Sequence, residues 1–178
     1  MEIKKITINL DLGQVCNDVL AKCYQVSLNL QDDAQKDIRA NIESPDSTET
    51  KSIINRSITE AVGNLKIACQ RYLTTGRTVD NNNLERIVKS KNVYGDEVME
   101  YEVVTLNLEI PNFNIAVTDG LKSHMHRYIV DYVMSQFLAD QYADKASQYA
   151  ESVGADYGNI QSDLLSRDNY IHRRPSWT

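Results

Sequence analysis

The sequence lacks paired cysteines. Cys16, Cys23 and Cys69 are odd in number and show none of the CxxC spacing that a zinc site or a redox dithiol requires. Cys16 and Cys23 lie seven residues apart within a helical pattern, and so on one face of a helix, which predicts buried core thiols. We therefore expect a protein of a reducing compartment that uses no disulfide.

Long hydrophobic runs are also missing. No window reaches the roughly 18 apolar residues that a membrane span requires. The N-terminus, MEIKKITINLDL, interleaves charges with apolar residues and does not resemble a signal peptide. We therefore expect no membrane partner and a chain that stays soluble where it is made.

The sequence has fewer basic residues than acidic ones. The 178 residues contain 19 Lys and Arg against 25 Asp and Glu, a net charge of −6, which disfavours capture of nucleic acid by the whole surface. Apolar residues make up 42% and charged residues 25%, the values of an ordinary globular protein. Residues 1–166 are expected to form one domain, long enough to bury a core without a metal or a disulfide.

No catalytic signature is present. The sequence contains no GxSxG, GxxxxGK[ST], HExxH or GxGxxG. His124 and His126 are two residues apart in a helical pattern and point about 200° away from each other, so they are not expected to share a metal ion. Four carboxylates lie at polar edges of amphipathic patterns and are expected to be solvated: Asp18, Glu60, Asp131 and Asp140. The sequence therefore predicts no enzyme, no metal and no cofactor.

Hydrophobic periodicity predicts the elements of the first half of the chain. Alternation over residues 3–12 predicts a strand, and Asp11 is expected to cap a helix over about 13–30. Residues 31–42 are predicted to be a surface helix or an ordered loop. A stripe over about 47–75, ended by Gly76, predicts a long amphipathic helix.

A charged β-hairpin is predicted next. Strands over 84–93 and 97–110 flank a turn at Tyr94-Gly95-Asp96, with a bulge between Val103 and Val104. Opposite charges favour antiparallel pairing; these are Arg86, Lys89 and Lys91 on one strand and Glu97, Glu100 and Glu102 on the other. The hairpin belongs either to a small sheet completed by residues 3–12 or to an arm that projects toward a neighbour.

Three helices are predicted after Pro111. Thr118 or Asp119 is expected to cap the first, a second follows Asp140 and ends at Gly154, and a short third lies near residues 160–165. The predicted fold class is mainly α, of the α+β type. It is a helical bundle with an inserted antiparallel β-hairpin at about 84–110, a short N-terminal strand and an extended C-terminal tail.

Tyrosines and the tail mark a candidate interface. Ten tyrosines against two phenylalanines fit either the edge of the core or a subunit interface. The basic, aromatic tail over 167–178 is either a partner-binding segment or a flexible terminus. The predicted interface residues are Tyr94, Tyr101, Tyr149, Tyr157, Tyr170, His172, Arg173, Arg174, Pro175 and Trp177.

The C-terminal third carries a resemblance. It comprises HMHRYIVDYVMSQFLADQY, ADKASQYAESV, NIQSDLLSRD and HRRPSW. Preceded by helices and an inserted hairpin, this run resembles the head-to-tail connector, or neck adaptor, proteins of tailed bacteriophages and prophages.

The resemblance implies a structural virion protein of the neck, made in the host cytoplasm. It implies a homo-oligomeric ring, commonly a dodecamer, that contacts the portal protein and the tail or neck proteins. DNA would pass through without sequence-specific binding, and the hairpin and the tail would be the contact elements. A small cytosolic binding or regulatory domain, acting as a monomer or dimer, is the alternative.

Overall fold

A computed structural model describes residues 2–30, 42, 48–74, 84–86 and 102–168. Four α-helices and three strands lie in these ranges. They are, in chain order, β1 (Ile3–Asp11), α1 (Leu12–Leu28), α2 (Thr48–Cys69), β2 (Leu84–Arg86), β3 (Glu102–Pro111), α3 (Thr118–Leu138) and α4 (Ala143–Leu165). A short 3₁₀ helix, Ile115–Val117, joins β3 to α3. The predicted fold class is confirmed: a mainly helical protein with an antiparallel β element.

The sheet has the strand order β1-β3-β2, and both pairings are antiparallel. β1 pairs with β3 and completes the sheet, as predicted by the alternative in which residues 3–12 join the hairpin. The register places Arg86 opposite Glu102, which confirms the predicted antiparallel pairing at that position. Alternate side chains of β1 and β3 face the helices and are buried, because the strand period is two; they are Ile6, Ile8, Leu10, Val104, Leu106, Leu108 and Ile110.

α3 is the central helix of the bundle and packs against α1, α2, α4 and β1. Its apolar residues are buried almost all round the helix, as expected of an element with neighbours on several sides; they include Leu121, Met125, Ile129, Val133 and Met134. Each surrounding helix contributes one apolar face to the same core. No helix in the described ranges is both long and apolar enough to cross a membrane.

Two predicted helix ends are wrong. α2 ends at Cys69, not at residue 75, because the following backbone turns to pair with β3: Glu109 N donates to Tyr72 O at 2.7 Å and Thr74 N to Asn107 O at 3.0 Å. α4 does not stop at Gly154 but runs unbroken to Leu165. Burial of Ile160 and Leu164 against the core holds the helix together beyond the glycine.

The predicted bulge and one predicted cap are also wrong. Asp11 pairs with Val103 and Leu10 with Val104 without interruption, so Val103 simply lies on the outer face of the sheet. At the start of α3 neither Thr118 nor Asp119 is the cap. The Thr118 hydroxyl donates instead to Ile115 O at 2.8 Å. The backbone N–H of Thr118 is bonded to the same oxygen in the preceding 3₁₀ turn.

The other helix starts and breaks agree with the sequence. The Asp11 carboxylate accepts from the backbone N–H groups of Gly13 and Gln14 at 2.8 and 3.2 Å, and so caps α1. α3 and α4 are separated at residues 139–142, where the Asp140 break was predicted. The predicted core thiols are confirmed for Cys23, which is buried, and Cys16 is half-buried.

Candidate assembly surfaces

Both charges of α1 pair with α3, although the Asp18 side chain remains 48% exposed. This helix has two charged residues, Asp18 and Lys22, and both bind α3. Asp18 Oδ2 lies 2.7 Å from His126 Nε2, while the Lys22 ammonium pairs with the buried Asp131 carboxylate and lies 5.2 Å from the centre of the Tyr149 ring. The helix therefore uses all of its charge inside its own subunit.

The outward side of α1 is uncharged as a result. Leu20, Tyr24 and Leu28 lie one turn apart on this side and are 46%, 51% and 47% exposed. The other exposed positions are polar but neutral or small: Gln14, Asn17, Ala21 and Gln25. We refer to these seven residues as the α1 face. Depletion of charge around exposed apolar and aromatic side chains is the composition of an interface core.

Polar pairs also join α3 to α4. His124 Nδ1 lies 2.8 Å from Asp163 Oδ2. One helical turn further along α3, Arg127 Nη2 donates to Asp156 Oδ1 at 2.6 Å. Asp156 is completely buried, and its second oxygen has no hydrogen-bond partner among the described residues. The sequence analysis missed Asp156 and Arg127, because a single carboxylate among the polar residues of a helix gives no signal of burial.

The two histidines diverge as predicted. His124 contacts α4 and His126 contacts α1, so their side chains lie on different sides of α3. Within the described ranges, no group of three or more His, Cys, Asp or Glu side chains is placed to hold a metal ion.

Of the four carboxylates predicted to be solvated, Asp131 was predicted wrongly. It is buried because α1 and α4 both cover this side of α3, and Lys22 compensates its charge. Asp140 and Glu60 are exposed, and Asp18 is half-exposed beside His126. Amphipathic periodicity places a residue on the edge of one helix but does not reveal a second helix that covers that edge.

A row of tyrosines crosses the bundle surface. The ring centres of Tyr128 and Tyr132 are 6.2 Å apart, and those of Tyr128 and Tyr157 are also 6.2 Å apart. The Tyr132 hydroxyl donates to Glu60 Oε2 at 3.3 Å. Burial raises the pKa of Tyr128 above its ordinary value. Tyr128 is buried in the core, whereas Tyr157 is partly exposed, and the subunit-interface interpretation of the tyrosines stays a prediction.

The root of the C-terminal tail, Arg167 and Asp168, is bound to the residues that follow β3 and to β1. Asp168 N donates to Asn112 O at 2.9 Å, Asn114 N donates to Ser166 O at 3.3 Å, and Lys4 forms an ion pair with the Asp168 carboxylate. Arg167 forms a backbone bridge with Phe113. The first two residues of the predicted tail therefore bind their own subunit.

Two predicted interface residues lie in described ranges. Tyr149 is half-buried beneath Lys22, and its pKa is raised by burial and by the nearby Asp131 charge. Tyr157 is exposed on α4. The others lie outside the described residues: Tyr94, Tyr101, Tyr170, His172, Arg173, Arg174, Pro175 and Trp177.

Comparison with protein-family models, with curated proteins and with solved structures gives no match.

Proposed function

We propose that this protein is a structural assembly subunit of the head-to-tail connector type, which forms a homo-oligomeric ring between a portal protein and tail proteins. The observation that carries the proposal is the α1 face. A helix whose two charges both pair within the subunit, and whose three large apolar side chains are exposed, leaves a surface suited to contact another subunit.

The fixed tail root supports the same function. Asp168 is held by Asn112 and Lys4, so residues 169–178 leave every subunit from the same position. This segment contains Arg173, Arg174 and Trp177, of residue types enriched at interface hot spots. An anchored segment of this kind suits a heterologous contact, in which one subunit reaches a different surface of the next.

The charge distribution supports passage of DNA without retention. Residues 169–178 carry two arginines and no acidic residue, so the net charge of −6 for the chain leaves −8 on residues 1–168. A ring of such subunits carries the negative charge of every copy. This charge repels the phosphates of a duplex, and the basic tail segments are attracted instead to neighbouring subunits.

The first experiment measures mass in solution by light scattering, for the protein alone and mixed with portal protein. We expect the full chain to form a defined ring, either alone or on the portal. Replacement of Tyr24→Lys should raise the concentration for half-assembly about tenfold or more, because about 1.4 kcal/mol of contact energy corresponds to a factor of ten. Ile67→Lys is the matched control, since Ile67 is 68% exposed but lies on α2, away from the α1 face.

Deletion of residues 169–178 should give a folded monomer that no longer assembles. Retention of the helical signal in circular dichroism checks that the shortened chain folds. A full chain that stays a monomer or dimer with and without portal protein would contradict the connector proposal. The alternative, a small binding or regulatory domain, would then be favoured. A ring that survives the deletion would remove the tail from the proposal but leave the α1 face.

A further inference from the structure

Arg127 presents a guanidinium to solvent while a buried carboxylate fixes its direction. Its side chain is 57% exposed, whereas its partner Asp156 is 0% exposed. A guanidinium has five N–H donors, and among the described residues it makes one hydrogen bond, to Asp156 Oδ1. The remaining donors are oriented before any partner arrives.

The Arg127–Asp156 pair has an unfavourable contribution to the free energy of folding. Burial of a carboxylate opposes folding, and a well-packed hydrophobic pair is often as stable or more stable. The Asp156 Oδ2 atom, which has no partner within the described ranges, adds a further desolvation cost. Arg127 compensates the buried charge of Asp156, and because the guanidinium is exposed, its remaining donors can bind a group outside the subunit.

Tyr157 is a second exposed side chain of this α3–α4 region. Tyr157 follows Asp156 in α4, is 39% exposed, and its ring lies 6.2 Å from that of Tyr128, the neighbour of Arg127 in α3. Arg and Tyr are among the residues most enriched at interface hot spots. Within this α4 segment, a β-carbon at Gly154 or Gly158 would meet no atom within 4 Å. The helix surface around Tyr157 is therefore open to close approach.

We infer that Arg127 and Tyr157, here named the Arg127–Tyr157 patch, bind a carboxylate on the acidic surface of a second copy of this chain. The inference rests on the proposed ring and names the chemistry of one contact in it. Residues 1–168 carry a net charge of −8, so a neighbouring subunit supplies carboxylates, and a guanidinium can bind them in a two-point geometry. The same negative charge disfavours a DNA phosphate as the occupant.

The test replaces the buried pair as a unit. Arg127→Ala alone would leave Asp156 buried without a cation, so Arg127→Met with Asp156→Leu is used to preserve the fold. The matched control is Lys22→Met with Asp131→Leu, which replaces the other buried ion pair and leaves the patch intact. Tyr157→Ala is an independent variant that does not touch the ion pair. Circular dichroism verifies that all three fold.

Light scattering across concentration, at low and high salt, is the measurement. We expect the Arg127/Asp156 variant and Tyr157→Ala to assemble at about tenfold or higher concentration than the native chain, and the control to assemble normally. The Arg127/Asp156 variant should also lose much of the salt dependence of assembly, since an ionic contact is screened by salt.

Three outcomes would overturn the inference. If the Arg127/Asp156 variant assembles like the native chain at both salt concentrations, the patch is not an interface, although Tyr24→Lys can still support the ring. If that variant loses DNA binding while its mass is unchanged, the patch binds phosphate. If the native chain never assembles, with or without portal protein, the proposed function fails together with the inference.

Discussion

Asn112 shows how one residue can connect three segments. Its backbone lies in the left-handed region, with φ of 50°, where Asn is tolerated better than other residues with a β-carbon. Its N–H donates to Glu2 O at 2.8 Å, its Oδ1 accepts from Glu2 N at 3.1 Å, and its carbonyl accepts from Asp168 N at 2.9 Å. The start of β1, the end of β3 and the tail root are therefore joined at this residue.

Replacement of Asn112 separates these contributions. Asn112→Ala should lower the free energy of unfolding by about 2 kcal/mol, because it removes a hydrogen bond and places an alanine in the left-handed region. Asn112→Gly loses only the side-chain bond and should cost about 1 kcal/mol. Urea unfolding measures both, and equal losses for the two variants would show that the backbone conformation is not what selects Asn here.

At the scale of the element, α4 combines one buried side with an unusually small outer side. Ala146, Asp156, Ile160 and Leu164 are buried, whereas Gly154 and Gly158 have open space at their β-carbon positions. Glycine in a helix interior costs about 1 kcal/mol relative to alanine. Packing within the subunit gives no reason for these glycines, which agrees with the close approach inferred for the Arg127–Tyr157 patch.

Gly154→Ala and Gly158→Ala should each raise the free energy of unfolding by up to about 1 kcal/mol, because alanine restricts the unfolded chain and favours the helix. The measurement is urea unfolding at a concentration where the protein is monomeric. Ala155→Gly, at an exposed position of the same helix, is the control and should lower stability by a similar amount. A loss of stability in both alanine variants would reveal a clash that the structure does not show.

At the scale of the whole molecule, the core contains several acidic groups held neutral. Burial raises the pKa of Cys23 and of Cys69 from 9.0 to about 12. Burial also raises the pKa values of Tyr128 and Tyr149 above their ordinary value. In the unfolded chain these groups would lose their protons at a lower pH than they do in the folded protein.

The protein should therefore lose stability at alkaline pH. Each folded-state thiol pKa is raised, so its contribution is complete below pH 9, the unfolded value, and is lost as pH rises from 9 to about 12. The slope is about 1.4 kcal/mol per pH unit for each thiol. Urea unfolding between pH 8 and pH 11 provides the measurement, and Cys23→Ala should show a shallower slope than the native chain. A flat profile above pH 9 would contradict the burial of these thiols.

The amino-acid sequence by itself determined the local elements. Alternation of apolar and polar residues predicted β1 and the part of β3 from Val104 onward, and Asp11 predicted the cap of α1. These signals depend only on residues close together in the sequence. The interleaved apolar stripes likewise predicted α1, the body of α2, and α3. The resemblance to connector proteins and the ring that it implies remain predictions.

Only the tertiary structure decided where α2 ends, that α4 continues past Gly154, and that Asp131 and Asp156 are buried. β3 recruits the backbone of residues 72–74, and burial of Ile160 and Leu164 keeps α4 helical. A side chain on the edge of one helix becomes buried only when a second element covers it, and a helix end shifts when another strand competes for its backbone. These are contacts between segments distant in sequence, and the pattern within either segment does not contain them.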